Sequence, residues 1–450
     1  MDKIKKIIEE DNFLSKIKEV LNKEDCECFL VGGYIRDAII SGKTSNDKDI
    51  VLFNCDTEYI ARKTADALNG AFVELDSENK IYRIVLDEDY ADIAQGLNNN
   101  LDDDIKRRDF TINSIFYDLK NGDFIDAAGG FYDIEQKIIR TCDIKNLEDD
   151  PLRMLRAYRF KAELNFKIDK DILNFIKQNA KNLNTIAKER INQEILKMFE
   201  GEFLPETLLE MYDIGLLEIV FPFVQNIKKI PKNSHHHLDL VHHSIETVRQ
   251  IRSRKALLRL AAFYHDIGKP YCWTIEEDTG KHRFIGHDEK GGEIVKKELS
   301  DLKFSKKQIE YISKMVKHHI YPSSLMSTPE GASSKAIARF VRKIHPDVED
   351  LIEIARADRL SARGEAVSDA MVSENLEKLE ALLNSYEKIK DTLKELPKLL
   401  DGTEIMDILN IKAGPKLGKI IDEIKEGQIA GNIKTKEDAI CFIKNQDFNF

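Results

Sequence analysis

Apolar residues Ile4, Ile7, Ile8, Leu14, Ile17 and Leu21 recur at helical spacing over residues 3 to 23. Cys28-Phe29-Leu30-Val31 then reads as a short buried strand that stops at Gly32-Gly33. A helical stretch, Arg36-Asp37-Ala38-Ile39-Ile40, turns at Ser41-Gly42 and leads to the apolar run Ile50-Val51-Leu52-Phe53, a second strand. Strands are also predicted at 71 to 75, 81 to 86 and 114 to 119, so the first 140 residues are mixed α/β. Beyond Asp150 the texture changes. Ala157 to Phe160, Ile168 to Ile176 and Ile191 to Met198 carry helical periodicity, and the remainder is predicted to be almost wholly helical. Boundaries are expected near Asp143, in the Pro222 to Ser234 stretch and near Gly364.

A chain of 450 residues exceeds what one core usually serves, so at least two packed units are expected. Its 42% hydrophobic and 33% charged residues suit soluble globular packing. No run approaches the roughly 20 apolar residues of a bilayer helix, so no membrane partner is expected. The first residues lack an apolar signal core, and Cys26, Cys28, Cys55, Cys142, Cys272 and Cys441 are scattered. Both features point to a reducing, cytoplasmic location. The net charge of −11 argues against nonspecific DNA coating and no DNA partner is expected, whereas RNA stays open. Between Asp301 and His345 the balance reverses: Lys303, Lys306, Lys307, Lys314, Lys317, Lys335, Arg339, Arg342 and Lys343 face only Asp301, Glu310 and Glu330. That stretch reads either as a solvated helical face or as an RNA contact.

The first candidate chemistry is Asn46-Asp47-Lys48-Asp49, directly before the second strand. Carboxylates at i and i+2 of an extended chain share a face, and paired hard oxygen donors can hold Mg²⁺ for phosphoryl transfer. Gly32-Gly33 lets the backbone approach a triphosphate, and the helix that follows aims free N–H groups at it. Alone, each pattern also describes a turn; one helix apart, they reinforce each other. Asp92, on a predicted strand, is the candidate third carboxylate, with a solvent-facing strand-end acid as the alternative.

Leu30-Val31-Gly32-Gly33-Tyr34-Ile35-Arg36-Asp37, Asp47-Lys48-Asp49, Arg107-Arg108-Asp109-Phe110-Thr111-Ile112-Asn113, Asp149-Asp150-Pro151-Leu152-Arg153-Met154-Leu155-Arg156-Ala157 and Glu189-Arg190-Ile191-x-x-Glu194 occur in this order. Over roughly the first 200 residues the chain thus resembles the class II tRNA nucleotidyltransferase and bacterial poly(A) polymerase family. The resemblance implies an α/β head of the polymerase β-like nucleotidyltransferase fold, followed by all-α neck, body, HD domain and tail. It divides the chain into 1–143 (head), 144–234 (neck and body), 235–364 (HD domain) and 365–450 (tail). It implies template-independent transfer of CMP and AMP from CTP and ATP to a tRNA 3′ end, with Mg²⁺ held by Asp47 and Asp49. Arg108, Asp109 and Asn113 match a motif that contacts ribose and phosphates. Arg36, Arg156 and Arg159 join Gly32 and Gly33 in the implied nucleotide site, with neck scaffolding as the alternative for the last two arginines. Glu189 and Arg190 match a motif that braces the neck. The Gln95 to Asn100 segment lacks the arginine that relatives carry there.

Base choice without a template needs a protein edge that pairs with the base. Asp150 and Arg153, three apart on a predicted helix, would share a face and offer an acceptor beside a donor fork. Cytosine and adenine each present an amine donor beside a ring-nitrogen acceptor, which matches that edge. In the family the matching pair reads the base. A helix-surface ion pair is the plainer alternative.

The second candidate chemistry is histidine-rich. His243, then His265-Asp266, then Asp358 resemble the HD metal-dependent phosphohydrolase superfamily, whose imidazole and carboxylate ligands suit divalent transition metals or Mg²⁺. His287, His318 and His319 are candidates for a second metal position, and His235-His236-His237 is expected to be a polar loop. Near the end, Gly414-Pro415-x-x-Gly418 predicts a tight helix entry, either a structural turn or an RNA phosphate contact. Rival functions are CC-only addition, A-only addition and poly(A) synthesis. A different class is a metal-dependent phosphohydrolase carrying a nucleotide-binding module.

Overall fold

The structure, a computed structural model, describes residues 1–230, 238–328, 331–362, 367–393 and 396–446. The chain forms two compact units, Met1–Val220 and Phe221–Phe450. The junction expected near Asp143 lies inside the first unit, whereas Gly364 and His235-His236-His237 lie outside the described residues.

The first unit is built on a seven-stranded sheet of β1 (Glu27–Val31), β2 (Asp47–Phe53), β3 (Ala71–Asp76), β4 (Ile81–Leu86), β5 (Asp89–Gln95), β6 (Phe116–Asp118) and β7 (Phe124–Ile125). Its order is β3-β4-β5-β2-β1-β6-β7. All neighbours are antiparallel except β2 and β5, which run parallel and place Asp49 opposite Asp92. Phe29, Val31, Val51, Phe53 and Phe116 fill one core against the sheet, because the alternation along β1 and β2 turns every second side chain to that face. All six expected strands form, including the one that carries Asp92. The second begins earlier than predicted, so Asp47 and Asp49 are its own residues instead of a preceding turn. The expected helix over 3 to 23 is two helices, Asp2–Glu9 and Asn12–Leu21; Asp11 caps the second by accepting from Phe13 and Leu14 N–H.

Helix Gly33–Ser41 follows β1 directly, and Gly32 makes the turn at φ 89°. Only glycine fits: the φ is left-handed, and a Cβ there would stand 2.6 Å from Asp49 Oδ2. Beyond the sheet, the unit includes helices Leu152–Leu164, Lys188–Glu200 and Leu204–Asp213. Among its described residues, the second unit is helical apart from the short strands Thr274–Ile275 and His282–Arg283 and the connecting loops. Of its basic stretch, Lys314, Lys317, Lys335, Arg339 and Arg342 are spent in ion pairs with Asp347, Glu289, Glu423, Glu426 and Asp422. This favours the structural reading for those five side chains. Pro415–Ile429 forms the helix expected after Gly414.

Lys48 lies between the two acids of β2 but points to the opposite face, only 2% exposed. Its ammonium sits 2.8 Å from Asp89 and 3.5 Å from Asp11, over the rings of Phe13 and Tyr34, whose hydroxyl donates to Asp11. This pins the N-terminal helices beneath β2. Lys48→Met is expected to lower stability by about 2 kcal/mol in chemical denaturation, less than the ~3–5 kcal/mol of a fully buried pair because Asp89 is half exposed. An unchanged denaturation midpoint would remove Lys48 from this role.

Candidate functional site

β2 and β5 bring Asp47, Asp49 and Asp92 together, with a carboxylate oxygen from each lying within 4.8 Å of the others. Asp92 is mid-strand and held by both nitrogens of an Arg83 fork at 2.7 and 2.8 Å. Burial raises the Asp49 pKa to about 6, with repulsion from Asp47 adding to the effect and Arg108 opposing it. Asp47 is raised by burial and then by Asp92. Such a cluster of hard oxygen donors, carrying more negative charge than Arg83 and Arg108 offset, fits a divalent cation.

The neighbouring groups form a relay. Arg36 donates to Asn113 Oδ1 (2.7 Å), Asn113 donates to Asp109 (3.2 Å), and Arg156 clamps Asp109 at 2.6 and 3.0 Å while donating to Glu194 at 3.2 Å. Burial disfavours the Asp109 carboxylate, but Arg156, joined by hydrogen bonds from Asn113 and the Phe110 N–H, keeps its pKa below the ordinary value. Arg107, Arg108, Asp109, Asp150, Arg153, Arg156 and Arg190 line a polar cleft of about 270 Å³, five cationic groups against two anionic ones. That excess suits a polyanion such as a triphosphate.

In the second unit, helices Leu240–Gln250 and Val348–Ser361 carry His243 and Asp358, helix Ala256–Tyr264 ends at His265-Asp266, and helices His287–Asp301 and Lys306–His318 deliver His287 and His319 at their ends. His243 Nε2 lies 3.1 Å from Asp358 and 3.2 Å from His265 Nε2, which is 3.1 Å from Asp266 Oδ2. The other oxygen of Asp266 faces His287 and His319 Nε2 at 3.4 and 3.9 Å. Asp266 therefore stands between two candidate ligand groups, His243/His265/Asp358 and Asp266/His287/His319. The Nδ1 atoms of His265, His287 and His319 each meet a backbone carbonyl at 2.7 Å, which leaves the Nε2 lone pairs facing inward. Gly268 permits this approach, since a Cβ there would overlap the His287 carbonyl oxygen. Burial works against a charged His265, yet Asp266 and Asp358 overcome it and lift the ring to about 10. Lys269 Nζ, 2.5 Å from Asp266 Oδ2, already supplies one positive charge to the pocket.

Residues 28–140 match the family described as the poly A polymerase head domain, 165–228 the probable RNA and SrmB-binding site of polymerase A, and 234–363 the HD domain. The A-adding tRNA nucleotidyltransferase of Deinococcus radiodurans is 30% identical, over 92% of this chain and 94% of that protein. The chain belongs to the tRNA nucleotidyltransferase family. The CC-adding enzyme of Thermus thermophilus is 29% identical over 93% of each chain. In structure, the Thermotoga maritima CCA-adding enzyme complexed with tRNA covers 98% of both chains at a TM-score of 0.63 and 20% identity, a likeness of fold.

Within this tRNA nucleotidyltransferase, several expected placements differ. Asp150 is not helical with Arg153: it lies in extended backbone before helix Leu152–Leu164, because a residue preceding proline disfavours the helical region. Its Oδ2 accepts from Arg190 at 2.7 Å, while Arg153 donates to the Asn146 carbonyl at 3.3 Å. Arg159 is buried, pairs with Glu163 and Glu194 and stacks on Phe160, which is the scaffolding arrangement. His318 stands outside the histidine cluster, beside Tyr321, and burial followed by Lys343 pushes it down to about 4. Arg83 escaped sequence reading altogether, since only the β4–β5 register sets it opposite Asp92.

Two measurements follow from the charge balance. A raised Asp49 pKa means that its share of apo-protein stability is present below its unperturbed value near 3.8 and lost as pH rises through about 6. Divalent cation binding, which competes with that proton, is expected to weaken by about tenfold per pH unit below 6 in calorimetry; pH-independent binding would contradict this. In the second unit, nickel content after desalting is expected to fall to none in Asp266→Ala but to one ion in His319→Ala. Full content in Asp266→Ala would show that Asp266 does not join two positions.

Proposed function

We propose that this chain is a CCA-adding enzyme, transferring CMP and then AMP from CTP and ATP to the 3′ end of tRNA without a template. The observation that carries this reading is the convergence of Asp47, Asp49 and Asp92 on two parallel strands, close enough to the arginine-lined cleft for Arg108 to act on Asp49. Asp47, Asp49 and Asp92 would hold Mg²⁺. Bound there, Mg²⁺ supplies charge neutralisation at the α-phosphate and a more acidic RNA 3′ hydroxyl. Arg83 orients Asp92 through its two-nitrogen fork. The Gly32-Gly33 turn and the start of the following helix receive the phosphates, with Arg108 and Arg156 as cationic walls. Arg36, Asn113 and Asp109 fix the position of Arg156 and offer polar atoms to the ribose. Asp150 accepts from the amine of cytosine or adenine while Arg153 donates to the ring nitrogen; guanine and uracil present the reverse pattern. Arg159 positions Glu194 and stays out of contact with nucleotide.

The histidine centre of the second unit is proposed to hold divalent transition metals at His243, His265, Asp266 and Asp358, extended by His287 and His319, and to hydrolyse phosphate esters. The location proposed for both activities is the cytoplasm, where tRNA is processed. A second reading of the head has its own support: three relatives matched over nine tenths of the chain are one A-adding and two CC-adding enzymes. One assay separates the two. Given tRNAs ending before CCA, after C and after CC, with CTP and ATP, the chain is expected to complete all three to CCA and stop. Products that halt at CC, or addition confined to the tRNA already ending in CC, would assign it to the single-step enzymes, and long A tails would assign it to poly(A) synthesis. Asp47→Ala and Asp49→Ala are each expected to abolish incorporation, by at least about 10³-fold, with tRNA binding retained; incorporation that survives would remove both from the site.

A further inference from the structure

The side chain that holds Asp150 is Arg190, the first-turn arginine of helix Lys188–Glu200. Its Nη2 is 2.7 Å from Asp150 Oδ2, and it is half exposed, with the pair lining the same cleft as Arg153. A brace confined to packing two helices would be buried and would face away from the cleft. This one faces into it. Resting on the reading that Asp150 and Arg153 meet the base, we propose that Arg190 is a positioning residue for nucleotide selection: it holds the Asp150 acceptor apart from the Arg153 donor so that the two span one base edge.

The physical case has three parts. First, Asp150 sits in extended backbone ahead of Pro151, so helix geometry does not fix its carboxylate; the remaining partner is the Leu152 N–H at a long 3.3 Å. Second, the nearest competing cation in sequence is Arg153. A carboxylate released from Arg190 is free to swing onto that guanidinium, which would consume the acceptor and the donor together and leave no edge for a base. Arg190 occupies one oxygen from another helix and prevents this closure. Third, a carboxylate offers about four lone-pair sites, so an arginine on one oxygen leaves acceptors for an exocyclic amine. An ionised carboxylate accepts but never donates. Guanine and uracil, which present a carbonyl where cytosine and adenine present the amine, then meet an acceptor against an acceptor.

The test uses the full-length protein with Mg²⁺, a tRNA lacking CCA, and all four nucleoside triphosphates, measuring kcat and KM for each nucleotide alongside melting temperature. Arg190→Gln is expected to lower discrimination against UTP and GTP by roughly tenfold, the scale of one lost charge-assisted hydrogen bond. Arg190→Lys, which keeps the charge, is expected to restore part of the discrimination. Asp150→Ala is run beside them. If Asp150→Ala destroys discrimination and Arg190→Gln leaves it intact, the tether is refuted while the base-reading role of Asp150 stands. If Asp150→Ala leaves discrimination intact, the base-reading assignment fails and the tether falls with it. A uniform loss of rate for all four nucleotides with a lowered melting temperature would make Arg190 a neck brace and overturn the proposal.

Discussion

Three carboxylates held side by side on adjacent strands repel one another, and the rest of the first unit is arranged around that repulsion. Two unit charges about 4 Å apart interact with roughly 4 kcal/mol at an effective dielectric of about 20. Arg83 answers Asp92 and Arg108 acts on Asp49, while burial, with Asp47 adding to it, still holds the Asp49 pKa above its ordinary value. The same requirement explains Gly32, where a side chain would strike Asp49, and Lys48, which spends its charge on the reverse face and leaves the acids uncancelled.

Around the acids, charge is organised in a chain and not in isolated pairs. Arg36, Asn113, Asp109, Arg156, Glu194, Arg159 and Glu163 follow one another in contact, so the sheet and the helices that carry the arginine cleft share one hydrogen-bonded scaffold. Every buried ion in that chain has an opposite neighbour, the condition under which buried charges are tolerated. What remains unneutralised faces the cleft. The histidine centre of the second unit follows the same rule with different donors: backbone carbonyls orient the rings, and Asp266 divides its two oxygens between two groups.

Local chemistry was legible in the sequence wherever it depends on short spacing. Period-two alternation gave Asp47 and Asp49 a common face, Gly32-Gly33 marked the turn before a helix, and His265-Asp266 marked the second centre. Pairings that depend on register were not legible. Arg83 meets Asp92 only because β4 and β5 align, and Asp266 reaches His287 and His319 only because three helix ends converge. The sequence did hold one signal that pattern reading underused: Pro151 excludes Asp150 from the helix that periodicity assigned to it. Asp11 likewise carried the cap that breaks the first predicted helix in two. His318 and His319 are neighbours in the chain, yet the end of their helix sends only His319 into the cluster.

The cation site proposed at Asp47, Asp49 and Asp92 is most directly tested by crystals grown with Mn²⁺ and a non-hydrolysable CTP analogue, read by manganese anomalous scattering. Manganese peaks coordinated by oxygens of Asp47 and Asp49, with the triphosphate against the arginine cleft, are expected. Anomalous density absent from those carboxylates while nucleotide is bound, or a lysine or arginine seated among them in place of the ion, would contradict it.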